Sequence, residues 1–236
     1  GLDSIKGGVK LFPRKFTMQN YKVLFIDDRL FKAFGISVSR TILQTSLCVF
    51  CTCMLAYALS RQEFVLRKPL TLVLVISMYV NAGLIPGYML IKHLGMLNSY
   101  AVYIVPNLVG VFYFILVRTY INGLPNSFVE SARIDGANEY RICFTIMMPL
   151  TKPAFAAMAI LSAMGAWNDM LWPMLVYRDA SKFTLPIGLN TLLTPYGNNY
   201  DLLIAGSCFS VVPLLIVFFA FQRYFISGLQ AGAVKG

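Results

Sequence analysis

Apolar positions fall into five long blocks along the chain, at about residues 35–59, 70–91, 101–121, 153–177 and 202–221, joined by more polar connections. Each block approaches the roughly 20 residues that carry a helix across a bilayer core about 30 Å thick. The pattern therefore predicts five spans in an all-α, polytopic membrane helix bundle. Composition agrees: of 236 residues, 58% are hydrophobic and only 13% are charged, against about a quarter charged in a soluble domain. Residues 1–34 are polar and hold neither a signal sequence nor a span, and the chain starts at Gly1 without a methionine. A segment upstream of Gly1 is expected.

Four of the five blocks are interrupted near their middles by helix breakers or amides. The interruptions are NAGLIPG (Asn81 to Gly87), VPNLVG (Val105 to Gly110), GAWNDMLWP (Gly165 to Pro173) and GSCFSVVP (Gly206 to Pro213). Broken helix and polar side chains are tolerated at membrane depth where they face protein or a water-filled cavity. Their recurrence predicts a transport path, with Asn81, Asn107, Trp167, Asn168 and Asp169 as candidate lining residues. At any single position, close helix packing through small residues explains the pattern as well. Trp167, Asn168 and Asp169 read in two ways: as an aromatic face beside an amide and a carboxylate, which suits sugar rings and hydroxyls, or as an interfacial Trp beside a helix-capping pair.

The formal charge of +10 does not signal nucleic acid, because no Lys/Arg run exceeds two and the basic residues sit mostly at span ends, where they anchor helices to headgroups. Their distribution sets an orientation. One set of connections carries Arg61, Arg67 and Lys68, then Arg118, Arg133, Arg141 and Lys152, then Arg223 and Lys235; the other carries Lys92, Arg178 and Lys182. The first set should be cytoplasmic, so that residues 122–152 form a cytoplasmic loop, residues 1–34 are extracytoplasmic and residues 35–236 make up the membrane domain. Lys6, Lys10, Arg14, Lys15, Lys22, Arg29 and Lys32 run against this count, an objection that an upstream span would weaken. Cys48, Cys51, Cys53, Cys143 and Cys208 are odd in number and lack opposed CxxC pairs, so they read as packing residues and not as a disulfide framework or zinc site. His93 has no companion ligand for a metal.

Residues 127–150 read locally as a helix, a turn and a helix. Ser127 has the N-cap position and Glu130 the capping-box spacing. Gly136 falls where a left-handed C-terminal cap is wanted, Asn138 can cap the second helix, and Pro149 and Pro153 mark its end and the next span. Phe128, Val129 and Ala132 oppose Arg133 and Asp135, which predicts a helix lying across the membrane surface.

Glu130 and Ala132, then Gly136, then nine residues, then Ile146 and Pro149 resemble the EAA motif of ATP-binding-cassette importer permeases, with Ser131 and Met148 as conservative departures. FTMQNYKVLF (Phe16 to Phe25), AYALSR (Ala56 to Arg61), MPLTKP (Met148 to Pro153), AWNDMLWPMLV (Ala166 to Val176), FTLPIGL (Phe183 to Leu189) and the terminal GLQAGAVKG are similar to the carbohydrate branch, the maltose-permease G-subunit type. That branch has one more span before the TMQNY segment. The resemblance implies that the EAA stretch is a cytoplasmic coupling helix that fits a groove on an ATPase subunit. It gives this role to Glu130, Ser131, Ala132, Asp135, Gly136, Ile146 and Pro149. It further implies a C-terminal ATPase contact through Gly228, Gly232 and Lys235, the glycines permitting an extended chain in a narrow cleft.

The partners implied are a second homologous permease, two ATP-binding subunits, an extracytoplasmic solute-binding protein and a saccharide, which could be an acidic oligosaccharide. The setting implied is the bacterial inner membrane, with several passes. The phosphate loop (Gly, four residues, Gly, Lys, then Ser or Thr) is absent from the sequence, so ATP and Mg should be bound by partner chains, with no cofactor and no enzymatic site on this one. The alternative is a proton-coupled secondary transporter in which Asp169 titrates within the bilayer. ATP-dependent uptake insensitive to proton uncouplers separates the two.

Overall fold

Helix breakers decide where the helices of this chain stop. The structure is a computed structural model describing residues 18–26, 28–80, 82–194, 197–198 and 200–233. Its helices are α1 (Gln19–Ile26), α2 (Asp28–Ser60), α3 (Arg67–Tyr79), α4 (Leu84–His93), α5 (Ala101–Ile104), α6 (Val111–Asn122), α7 (Ser127–Ile134), α8 (Glu139–Arg141), α9 (Met148–Leu150), α10 (Lys152–Asn168), α11 (Leu171–Val176), α12 (Leu185–Asn190) and α13 (Tyr200–Ala233). A 3-10 turn at Val105–Asn107 continues α5, and a π-helix at Ile142–Met147 joins α8 to α9. A short ladder pairs β1 (Leu193–Thr194) antiparallel with β2 (Gly197–Asn198), Leu193 opposite Asn198. Asn81 and Lys235 lie outside the described residues, as do Lys6, Lys10, Arg14 and Lys15.

Among the described residues, α2 and the Tyr200–Phe219 part of α13 are each long and apolar enough to cross a bilayer alone. Two bent helix pairs reach that length and apolarity only when each pair is taken together, as a broken span or a re-entrant loop: α5 and its 3-10 turn with α6, bent by 47°, and Glu139–Leu150 with α10, bent by 84°. Three expected interruptions are true breaks. The second block divides into α3 and α4, with Gly83 at a φ of +86°; the third leaves the helix at residues 108–110, and the fourth at Asp169 and Met170.

The fourth expected interruption is not a break. Gly206 and Pro213 lie inside the continuous helix α13. A proline there removes one backbone hydrogen bond, which membrane helices tolerate, and Gly206 serves close packing instead. A Cβ at Gly206 would overlap the Leu189 side chain of α12 and approach Leu24 of α1 at 3.5 Å.

Two compact units divide the chain, one made of Gly1–Val38 and Asp169–Leu215, the other of Ser39–Asn168 and Ile216–Gly236. In the first, Ser37 Oγ accepts a 2.7 Å hydrogen bond from the Leu185 amide at the start of α12, and Phe34 meets Phe209 with ring centroids 5.1 Å apart. The second unit has a core drawn from five segments. Cys53, Ala56, Tyr57 and Leu59 of α2 pack with Phe114, Val117 and Ile121 of α6, Val129 and Ala132 of α7, Ile142, Cys143 and Met147 of the π-helix, and Ala154 and Met158 of α10. Phe114, Val117 and Ile121 recur at i, i+3 and i+7, one face of one helix. Lipid is as apolar as this core, so between spans the gain comes from close fit. For Val129 and Ala132, on a helix with polar flanks, removal from water adds about 25 cal/mol per Å² buried.

Candidate functional site

The segment from α7 to α10 is a chain of fixed corners. α7 is already turning before Ser127, because the carbonyls of Pro125 and Asn126 accept bonds from the amides of Phe128 and Val129 at 3.4 and 2.9 Å. The N-cap is therefore Asn126, without a side-chain cap bond. Ser127 is inside the helix, and the expected capping box with Glu130 does not form. Pro125 accounts for the shift, since its fixed φ suits a first helical turn.

The far end of α7 closes as the sequence predicts. Gly136 has a φ of +78°. The Ala137 amide donates to the Ala132 carbonyl at 2.9 Å and the Gly136 amide to Arg133 at 3.0 Å, the bond pair of a Schellman end. Asn138 caps α8, its Oδ1 accepting from the Arg141 amide at 2.8 Å. The chain then widens into the π-helix, regains α geometry at Met148–Leu150 and turns by 84° into α10. Pro149 falls in that last short turn, and Thr151 closes it through a 2.8 Å bond from its hydroxyl to the Met147 carbonyl.

Along α7 and its extension, Ala132 is buried while Glu130, Ser131, Asp135, Gly136 and Pro149 are exposed and Ile146 is half-buried. Phe128 and Ile134 are also exposed, the latter by 86%, so this helix projects apolar as well as polar groups.

Arg133 ties the corner to the turn after α2, and through Glu139 to α2 itself. Arg133 donates through Nε to Glu139 and through Nη1 to Glu63, each at 2.9 Å. Glu139 also accepts the Tyr57 hydroxyl at 2.5 Å. The Arg133 guanidinium holds the Glu63 carboxyl below its ordinary range. Burial pushes the Glu139 carboxyl up, but the bonds from Tyr57 and Arg133 outweigh this and leave it lowered as well. A 380 Å³ cavity opens beside this network, lined among others by Met54, Tyr57, Arg61, Cys143 and Phe144. No spacing rule links residues 57, 63, 133 and 139, so only the fold reveals the group.

Three of the candidate path residues, Asn107, Asn168 and Asp169, bond backbone groups with their side chains. Asn107 Nδ2 donates to the Tyr103 carbonyl at 3.2 Å and Asn168 Nδ2 to Met164 at 3.0 Å. Asp169 Oδ1 accepts from the Trp172 amide at 3.2 Å, at the start of α11. Trp167 is buried. For Asn168 and Asp169 this is the helix-end arrangement, one of the two readings open from sequence. Asn81 is outside the described residues.

The first block carries an unexpected charge. Arg40 of α2 is 1% exposed, bonds Gln44 Oε1 at 3.3 Å and stands 4.3 Å above the Tyr103 ring, the residue whose carbonyl receives Asn107. Buried charge at membrane depth persists only with such partners. Gly228 and Gly232 belong to α13, which continues to Ala233. The expected extended tail is helical over that stretch, and Lys235 is outside the described residues.

Residues 33–230 match the family of binding-protein-dependent transport system inner membrane components. The chain is 42% identical over 237 residues to the arabinooligosaccharides transport system permease protein AraQ of Halalkalibacterium halodurans, covering 98% of this chain and 85% of the relative. It is 30% identical to the polygalacturonan/rhamnogalacturonan transport system permease protein YtcP of Bacillus subtilis, covering 96% and 84%. Among solved structures it superposes, with a TM-score of 0.89 and 26% identity, on a chain of a bacterial ABC transporter involved in the import of the acidic polysaccharide alginate, covering 95% of this chain and 85% of that one.

Proposed function

We propose that this chain, which belongs to the family of inner membrane components of binding-protein-dependent transport systems, carries an oligosaccharide across the bacterial inner membrane and takes its drive from separate ATPase subunits through residues 122–152. Family membership makes it a permease subunit of an importer. The saccharide rests on one observation: relatives covering nearly the whole chain are named for oligosaccharide and polysaccharide transport, arabinooligosaccharides at 42% identity foremost.

Coupling is assigned to Glu130, Ser131, Ala132, Asp135, Gly136, Ile146 and Pro149. Ala132 anchors α7 in the core, the exposed Glu130 and Ser131 face a partner, Gly136 fixes the corner, and Ile146 and Pro149 carry the load into α10. Two facts support a cytoplasmic location for this loop: the basic count, and the Arg133–Glu63 pair, which joins residues 122–152 to the α2–α3 turn assigned to the same side. The type I permease fold follows as the finer reading, with five spans here in which α3 with α4, α5 with α6 and α10 with α11 each serve as one broken span. Two such chains, homologous and facing each other, enclose the path. Asn107 and the Trp167 to Asp169 corner shape the breaks along it by holding helix ends. ATP and Mg are bound by two partner ATPase subunits, and a solute-binding protein delivers the sugar from outside.

The test is reconstitution in proteoliposomes with the partner permease, the ATPases and the binding protein. Ligand-loaded binding protein should stimulate ATP hydrolysis when the ligand is an oligosaccharide. Stimulation by amino acids, peptides or metal ions alone would overturn the sugar assignment and leave the importer standing.

A further inference from the structure

Cys53 of α2 and Cys143 of the π-helix stand 90 residues apart in sequence with their sulfurs 4.0 Å apart. Both are buried and both thiols are free. They form the middle rung of a seam. On one side of them Phe50 stacks on Phe144, with ring centroids 5.5 Å apart and an interplanar angle of 16°. On the other, Tyr57 donates to Glu139 at 2.5 Å. Positions 50, 53 and 57 share one face of α2, and their partners run in reverse order as 144, 143 and 139. The two segments therefore lie antiparallel over about 10 Å of helix, and the thiols are held face to face from both sides.

A disulfide requires sulfurs about 2.05 Å apart, so closing this pair asks for about 2 Å of approach, within reach of side-chain rotation and a small adjustment of the π-helix. Access is unequal. Cys143 lines the 380 Å³ cavity together with Arg61, while Cys53 does not. A nearby guanidinium favours thiolate over thiol, and the thiolate is the reacting species.

We propose that Cys53 and Cys143 are a reversible oxidation site for small peroxides, and that the disulfide formed staples the coupling segment to α2 and arrests transport. The Cys143 thiolate attacks one peroxide oxygen, the O–O bond breaks, and the other oxygen leaves as hydroxide and takes up a proton to become water. Cys143 becomes a sulfenic acid. The Cys53 thiol then attacks that sulfur, the S–O bond breaks, and a second water leaves as the S–S bond forms. Two thiols have lost two electrons and two protons to one peroxide. A dithiol reductant reverses the step by exchange, and thiols on the cytoplasmic side are kept reduced at rest. The arrest, unlike the bond, rests on the coupling reading. A seam of one stack and a few hydrogen bonds can slide when α7 follows its partner, and a covalent rung cannot.

The experiment uses the complete transporter in proteoliposomes, with hydrogen peroxide as the probe, alkylation of remaining thiols and peptide mapping. Expected is a linked Cys53–Cys143 peptide, formed equally in a Cys48→Ser, Cys51→Ser, Cys208→Ser background, absent in Cys143→Ala and in Cys53→Ala, and removed by dithiothreitol. Uptake should fall in proportion to the linked fraction and return with reduction, while the two alanine variants keep their uptake under peroxide. Oxidation of Cys143 without a linked peptide overturns the site. Full linkage with undiminished uptake overturns the staple, and substitutions at Gly136 then show separately whether the coupling reading itself stands.

Discussion

Gly136 offers the sharpest perturbation of the proposed coupling segment, because its backbone and its surroundings point to different consequences. Its φ is +78°, yet an added Cβ would meet nothing within 4 Å. A substitution therefore acts through the backbone alone. Holding an L-residue in this left-handed region costs about 1–2 kcal/mol, least for Asn, which bonds locally, and most for a β-branched side chain. Opening the corner instead gives up the Ala137 to Ala132 and Gly136 to Arg133 bonds, together worth about 2 kcal/mol net. The two costs are comparable, so Gly136→Val should populate the opened corner heavily, Gly136→Ala partly and Gly136→Asn little. Opening moves Glu139 away from Arg133 and slackens the path from α7 to α10. The assay is sugar taken up per ATP hydrolysed in proteoliposomes. The ratio should fall in the order Gly, Asn, Ala, Val, with complex assembly intact. Equal ratios in all four would remove the corner from the coupling path, and an Asn variant as poor as Val would show that a partner packs against Gly136 so closely that no side chain fits.

Asn138→Ala removes the cap of α8 and should destabilise the segment by about 1 kcal/mol, seen as a lowered Tm of the purified complex; an unchanged Tm would mean water replaces the cap without loss. Arg133→Met and Glu63→Gln should couple in a double-mutant cycle by only about 0.2–1 kcal/mol, since both side chains are exposed enough for solvent to screen them, and a coupling of zero would make the contact ornamental. Glu63 and Glu139 both have lowered carboxyls, so their contribution is fully present above the ordinary carboxylate value of about 4.5 and is lost as pH falls through their lower folded values. Acid melting should therefore become less pH-dependent in Glu139→Gln, and an unaltered profile would refute the linkage. Glu130→Ala breaks no cap, so its stability should stay within about 0.5 kcal/mol of the parent while co-purification of the ATPase weakens; full retention would remove Glu130 from the contact.

What the sequence shows and what it hides follow from the range of each interaction. The spans come from runs of apolar residues, and the Gly136 and Asn138 ends come from residue types with strong local backbone preferences. Both are legible because neighbours in sequence decide them. Ser127 misleads for a similar reason: a capping box is a local signal, but Pro125 two residues earlier already sets a helical turn and takes the cap position to Asn126. Gly206 and Pro213 read as a break because the residues that need the glycine, Leu189 and Leu24, are distant in sequence. Arg40 lies inside the first apolar block, and the Tyr103 ring beneath its guanidinium comes from a distant part of the chain. Arg133 reads from sequence as a positive charge on the polar face of a surface helix, and its partners at 63 and 139 are brought together by tertiary packing. Cys53 and Cys143 look like scattered packing residues for the same reason.

The mechanical character of residues 127–168 follows from how each bend is secured. A push on α7 can reach α10 only if no joint yields first, and each joint has its own restraint: the Schellman pair at Gly136, the Asn138 cap at α8, and the Thr151 hydroxyl at the 84° turn. Buried Val129 and Ala132 prevent α7 from rolling on the core, and Arg133 ties the corner to the α2–α3 turn through Glu63 and to α2 through the Glu139 that Tyr57 also holds. The π-helix is the exception. Its wider turn leaves the backbone less tightly wound, and it lies between the secured corner and the secured bend. If the segment yields under load at all, it should yield at Ile142–Met147, the stretch that also holds Cys143. A tether placed there would consequently affect transport more than one placed at either capped end.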